Sequence, residues 1–149
     1  MIKSPKIINA DISFDDRGEI VHCNNFDFKK NSIKRFYKIQ NNNINFVRAW
    51  HGHKRENKFI LILNGSLKIC TIKIDNWKTP SKNLKKSTFV INEKKPQILF
   101  IPGGYAHGTQ NLTQNTKFIV FSNLSTKDSI KDDFRYKSDY WGDWFIKSR

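Results

Sequence analysis

Cysteine is scarce: Cys23 and Cys70 are the only two in 149 residues, too few and too far apart for a disulfide framework or a short-spaced metal motif. No apolar leader stands at the N-terminus, and no apolar run approaches the roughly 20 residues that cross a bilayer. The longest is Phe59 to Leu63. A cytoplasmic protein with no membrane partner is therefore expected. Internal repeats, Gly/Ser-rich linkers and composition breaks are missing too, so residues 1–149 read as one domain with one core.

Acidic side chains are also few. Against 27 Lys and Arg stand 13 Asp and Glu, a formal net charge of +14. That balance suits nucleic acid, an anionic membrane or an anionic small ligand. The lysines are scattered through Lys/Asn-rich segments and no nucleic-acid motif is present, which argues against a nucleic-acid partner.

What the chain does have is aromatic residues, 13% of the total with 12 Phe and 4 Trp, enough large apolar units for a core. Short alternating or apolar runs recur between turn signals: Glu19 to Cys23, Ile33 to Ile39, Phe46 to His51, Phe59 to Leu63, Leu67 to Ile74, Thr88 to Ile91, Ile98 to Ile101 and Lys117 to Phe121. The pattern predicts an all-β chain. Asn64-Gly65 predicts a type I′ hairpin turn, Asn41 to Asn45 and Asn76 to Lys86 read as loops, and Ser125 to Asp133 as one short C-terminal helix. The tail aromatics Tyr136, Tyr140, Trp141 and Trp144 are expected to pack on the barrel, or else to close over a neighbour's pocket.

Three of the four histidines fall in two glycine-flanked segments, Arg48-Ala-Trp-His51-Gly-His53 and Pro102-Gly-Gly-Tyr-Ala-His107-Gly-Thr-Gln-Asn111. His22 stands alone and reads as an ordinary side chain. The spacing resembles both cupin motifs: His51-x-His53, then position 58, then Gly65, and later Pro102-x-Gly104-x-x-His107-x-x-x-Asn111. In metal-binding cupins position 58 is a glutamate ligand. Lys58 stands there instead, and an ammonium repels a cation, so no metal or other cofactor is expected; Glu56 is nearby but out of register. A three-His metal site remains an alternative.

A lysine at that position resembles the sugar-nucleotide branch of the cupins, the dTDP-4-dehydrorhamnose 3,5-epimerases and the dTDP-sugar 3,4-ketoisomerases. Asp16-Arg17-Gly18, Ile33 to Ile39, Ile101 to Gly108 and Asp133-Phe-Arg135-Tyr136 carry the resemblance further, over roughly Asp15 to Trp144. It implies a cupin jelly-roll β-barrel and a homodimer in which an N-terminal strand pairs across the interface. It also implies isomerisation or epimerisation of a keto sugar on a nucleotide diphosphate, for surface polysaccharide precursors.

By position, the resemblance makes His51 the base and Lys58 the stabiliser of enolate charge. Tyr37 or His53 would manage the second proton. Arg17, Arg35 and Arg48 are implied for substrate binding, with His107, Tyr105 and Asn111 around them. Trp50, Trp77 or Tyr105 could stack on the base. These roles suit the chemistry. A C–H beside a ketone is acidic only if a positive group meets the enolate oxygen, and a neutral imidazole takes a proton near pH 7. An arginine fork holds a diphosphate.

Strand alternation puts Arg35 and Tyr37 on one face. Arg48 and His51, three apart, share a face only if a bulge or strand end intervenes. The chain departs from the epimerases where their tyrosine acid is matched by Val120, and the aspartate that supports their histidine has no evident counterpart. A 3,4-ketoisomerase, a C3 epimerase and a non-catalytic nucleotide-sugar-binding cupin all remain open.

Overall fold

The computed structural model describes residues 4–146; the outermost residues of the expected 1–149 domain lie outside the described residues. In chain order the elements are β1 (Lys6–Asn9), β2 (Asp11–Asp15), β3 (Gly18–His22), β4 (Arg35–Asn41), β5 (Val47–His53), β6 (Lys58–Asn64), β7 (Ser66–Lys73), β8 (Lys86–Asn92), β9 (Gln97–Ile101), β10 (Tyr105–Asn111), β11 (Thr116–Ser122), α1 (Thr126–Ile130) and β12 (Phe134–Arg135). Two antiparallel five-stranded sheets, ordered β1-β9-β6-β11-β4 and β12-β5-β10-β7-β8, face each other, and β2 and β3 form a separate hairpin. This is the expected all-β jelly roll with one short C-terminal helix. Ser125 caps α1, its hydroxyl accepting from the Asp128 N–H.

The strands follow from alternation. Ile60, Ile62, Leu67, Ile69, Leu99, Phe118 and Val120 point inward and form the main core cluster. A second cluster lies on the outer face of the other sheet, where Trp50, 1% exposed, is covered by Trp141 and Trp144 at ring separations of 5.3 and 5.1 Å. The tail thus packs on the barrel. Each polar handle there finds a carbonyl: Trp50 and Trp144 Nε1 donate to Ser138 O, and Trp141 Nε1 to Ser81 O.

Two local expectations are corrected. Asn64-Gly65 does not close a hairpin, because β6 and β7 belong to different sheets and the dipeptide is the corner where the chain changes sheet. Only Gly65 takes positive φ, +82°, and a Cβ there would lie 2.3 Å from Thr113 Oγ1, so glycine serves both backbone and packing. The segment from Tyr105 to Asn111, read only as a motif, is a central strand paired to both β5 and β7.

Candidate active site

A cavity of about 370 Å³ opens between the sheets. Alternation fills it from both sides: Arg35, Tyr37 and Ile39 from β4, Lys58 and Ile60 from β6, and Phe118 and Val120 from β11. The facing sheet supplies Arg48, His51 and His53 from β5, His107 and Thr109 from β10, and Arg135 from β12. Asp133, Thr126, Ser129 and Ile130 close one end.

Arg48 reaches the same cavity as His51 through a bulge. Between the pairs His107↔His51 and Thr109↔Arg48 the register shifts, β5 holding one residue more than β10. The extra residue restores the parity that a regular strand would break. Arg48 Nε donates to Asn41 Oδ1 at 2.8 Å, and no carboxylate pairs with this guanidinium among the described residues.

Beneath the histidines sits Glu56, its side chain fully buried. Oε1 accepts from Arg35 Nη2 at 3.0 Å and from the Ser122 hydroxyl. Oε2 accepts from the Ser129 hydroxyl at 2.9 Å and faces His53 Nδ1 at 3.0 Å and Lys58 Nζ at 3.7 Å. Burial pushes this carboxyl up, yet Lys58, Ser122 and His53 together hold it below the ordinary value. Asp132 shapes the turn that carries Glu56, accepting from the N–H groups of Lys54, Arg55 and Glu56 at 3.1, 2.9 and 3.0 Å.

Burial governs the titration of the site. It pushes His51 down to about 4, helped by Arg135 and Lys58, and it pushes His53 down, with Lys58 adding and Glu56 opposing. His107 falls well below the ordinary histidine value for the same reasons. All three imidazoles are neutral at pH 7. Lys58 is pulled down by burial and held up by Glu56 and Asp133; Tyr37 is pushed up to about 12 by burial and then by Glu56.

Of the residues singled out from the sequence, His51, His53, Lys58, Tyr37, Arg35, Arg48 and His107 meet in this cavity. Three do not. Arg17 lies at the β2–β3 turn, 81% exposed and paired with Asp15. Tyr105 packs against the main core cluster. Asn111 is buried outside the cavity; it accepts from Asn41 Nδ2 at 2.9 Å and donates to the carbonyls of Asn41 and Asn43 at 3.2 Å. Trp50 and Trp77 are likewise absent from the lining, Trp77 packing on Phe134.

Sequence reasoning missed Glu56, Asp133 and Arg135 as site residues. In the sequence Glu56 stands out of metal-ligand register, and the Asp133–Arg135 segment is only a mark of resemblance. Asp133 Oδ2 accepts from Arg135 Nε, while its Oδ1 is buried with no partner among the described residues. Among the described residues no three His, Cys, Asp or Glu side chains converge as a metal site. Lys58 stands among the three histidines, so the donor set does not fit the three-His alternative.

The family described as FdtA, WxcM-like, C-terminal, matches residues 3–141. No curated protein matches. Among solved structures, a 3,4-ketoisomerase from Helicobacter canadensis is similar at 21% identity and TM-score 0.70, covering 92% of this chain and 94% of that one. A mutant of the 3,4-ketoisomerase QdtA from Thermoanaerobacterium thermosaccharolyticum, in complex with TDP-4-keto-6-deoxyglucose, matches at 20% identity and TM-score 0.68, covering 95% and 94%. The rmlC epimerase of Mycobacterium tuberculosis gives a higher TM-score, 0.77, at 12% identity, but only 75% of that chain is covered. At these identities the likeness establishes the fold.

Proposed function

Since the chain belongs to the FdtA, WxcM-like C-terminal family, we propose that it is a metal-independent sugar-nucleotide 3,4-ketoisomerase, acting as one domain on a nucleotide-diphosphate 4-keto-6-deoxyhexose. One observation carries this reading: His51, Tyr37 and Lys58 line a single cavity whose walls hold four cationic side chains, Arg35, Arg48, Lys58 and Arg135, against one carboxylate, Asp133. The volume suits a sugar ring with its phosphates, at the low end of the roughly 300–1,000 Å³ usual for small-molecule sites.

The proton accounting closes with the groups present. Neutral His51 takes the C3 proton; the C–H electrons form the C3=C4 bond, and the carbonyl pair moves onto O4 beside Lys58. Tyr37 gives its proton to O4, and His53 takes the proton of the C3 hydroxyl as C3=O forms. His51 returns its proton to C4, and His53 returns its proton to Tyr37. A phosphate paired with Arg135 would cancel part of the field that depresses His51, so binding raises the basicity of the base. The 94% coverage of each of the two ketoisomerase chains, and Val120 where an epimerase has its acid, favour this version over C3 epimerisation.

A cytoplasmic homodimer belongs to the same reading. The β2–β3 hairpin, marginal as an isolated two-stranded unit, carries Phe14 72% and Val21 44% exposed on one face, a surface that a second copy would cover while bringing Arg17 toward a site.

The test is incubation of the protein with TDP-4-keto-6-deoxyglucose in D₂O, with and without chelator, followed at C3 and C4 by NMR beside His51→Asn. A 3-keto product that survives the chelator and vanishes in the variant supports the reading. A C3 epimer replaces it with epimerisation, and binding without exchange replaces it with a non-catalytic role.

A further inference from the structure

We infer that Glu56 is a positioning residue: its charge stands beside His53, whose Nδ1 hydrogen the Asp132 carbonyl accepts, and it lets Nε2, toward the cavity, accept and return a proton. The inference rests on the isomerase reading for its catalytic consequence, but its structural half stands without it.

His53 Nδ1 lies 2.9 Å from the carbonyl oxygen of Asp132 and 3.0 Å from Glu56 Oε2. A carbonyl oxygen only accepts, so the hydrogen belongs to Nδ1 and is donated to Asp132 O, with Glu56 Oε2 alongside as a negative charge. Glu56 stays ionised because Arg35, Ser122 and Ser129 donate to it and Lys58 Nζ stands 3.7 Å away. Nε2 has no hydrogen-bond partner among the described residues, and the ring lines the cavity. His51 makes no ion pair with a carboxylate among the described residues; the two histidines of one strand are therefore differently equipped.

A buried imidazolium needs a nearby negative charge, and Glu56 supplies it. The other groups facing His53 are Lys58 from β6, which opposes its protonation, and Asp132 and Asp133 before β12, which favour it less than Glu56 does. His107 of β10 stacks at 6.0 Å. His53 thus holds a proton briefly at Nε2 while the Nδ1 hydrogen stays in place, as the O3-to-Tyr37 transfer requires.

The experiment is ¹⁵N NMR of histidine-labelled, ligand-free protein across pH, for wild type and Glu56→Gln, with steady-state kinetics beside it. Expected in wild type is a neutral His53 protonated at Nδ1. In Glu56→Gln, His53 titrates at lower pH, kcat falls by about 10- to 100-fold, and KM stays near wild type. An Nε2–H tautomer in wild type overturns the inference and needs no variant to fold. Unchanged His53 titration in a folded Glu56→Gln overturns it as well. A wild type that turns over no keto sugar sinks the isomerase reading instead, while the ligand-free spectra still decide the role of Glu56.

Discussion

Tyr37 and Val120 are directly opposed across the β4–β11 pair, and both line the cavity. The phenol absent from β11 is therefore present one strand over. Because its hydroxyl is pushed up to about 12, it remains protonated at any working pH and is available as a donor to O4. Tyr37→Phe should lower kcat by about 10²- to 10⁴-fold while a nucleotide diphosphate binds as before in calorimetry. Wild-type turnover in this variant would return Tyr37 to plain strand packing.

Asn111, Asn41 and Arg48 form a chain of hydrogen bonds: Asn111 holds Asn41 from both ends of its side-chain amide and backbone, and Asn41 Oδ1 orients the Arg48 guanidinium. Asn111→Ala strands buried partners and should cost about 1–3 kcal/mol in denaturant unfolding. It should also weaken nucleotide-diphosphate binding through Arg48 and leave kcat nearly intact. Loss of stability with unaltered binding would show that Arg48 needs no such support.

Most of the site was legible because cavity-facing residues obey the two-residue period: Arg35 and Tyr37, Lys58 and Ile60, His51 and His53. Arg48 was legible only as a conflict, since a bulge is a property of strand pairing and leaves no local mark. Glu56 escapes notice because its value lies in donors from three separated segments, Arg35, Ser122 and Ser129. Only the fold brings those together. The Asn64-Gly65 error has a similar origin: a turn dipeptide reports backbone freedom, and says nothing of which sheet the next strand joins.

Lys58 lines the cavity with the three histidines and can meet charge developing on O4. Lys58→Met keeps the length of the side chain and removes its hydrogen-bond donors, so kcat should drop by about 10²- to 10³-fold, as when an oxyanion donor is lost. Glu56 keeps Arg35 and both serine hydroxyls, so the fold should survive, which a thermal melt checks. A variant that folds and retains full activity would remove Lys58 from the mechanism.

Phe14 and Val21, exposed on one face of the β2–β3 hairpin, give the dimer its own test. Replacing both with serine should shift the protein from dimer to monomer in analytical ultracentrifugation, with activity falling in step if Arg17 serves the partner's site. A wild-type protein that is monomeric at micromolar concentration removes the dimer from the reading.

The depressed His51 sets the sign of two pH effects. Its ordinary value is 6.5, and in the fold it lies at about 4. Between those values the unfolded chain holds the extra proton, so acid favours unfolding. The stability contributed by neutral His51 is complete above 6.5 and is lost as pH falls toward 4. His51→Asn should therefore show a shallower loss of stability over that window in urea titrations, with His53 and His107, depressed in the same direction, and the depressed Glu56 carboxyl contributing to the remaining slope. The acid limb of kcat/KM, which reports the free enzyme, should fall well below 6.5 for the same reason. An acid limb at 6.5 would mean that the base is a solvated imidazole, and His51 inside this cationic cavity would not be it.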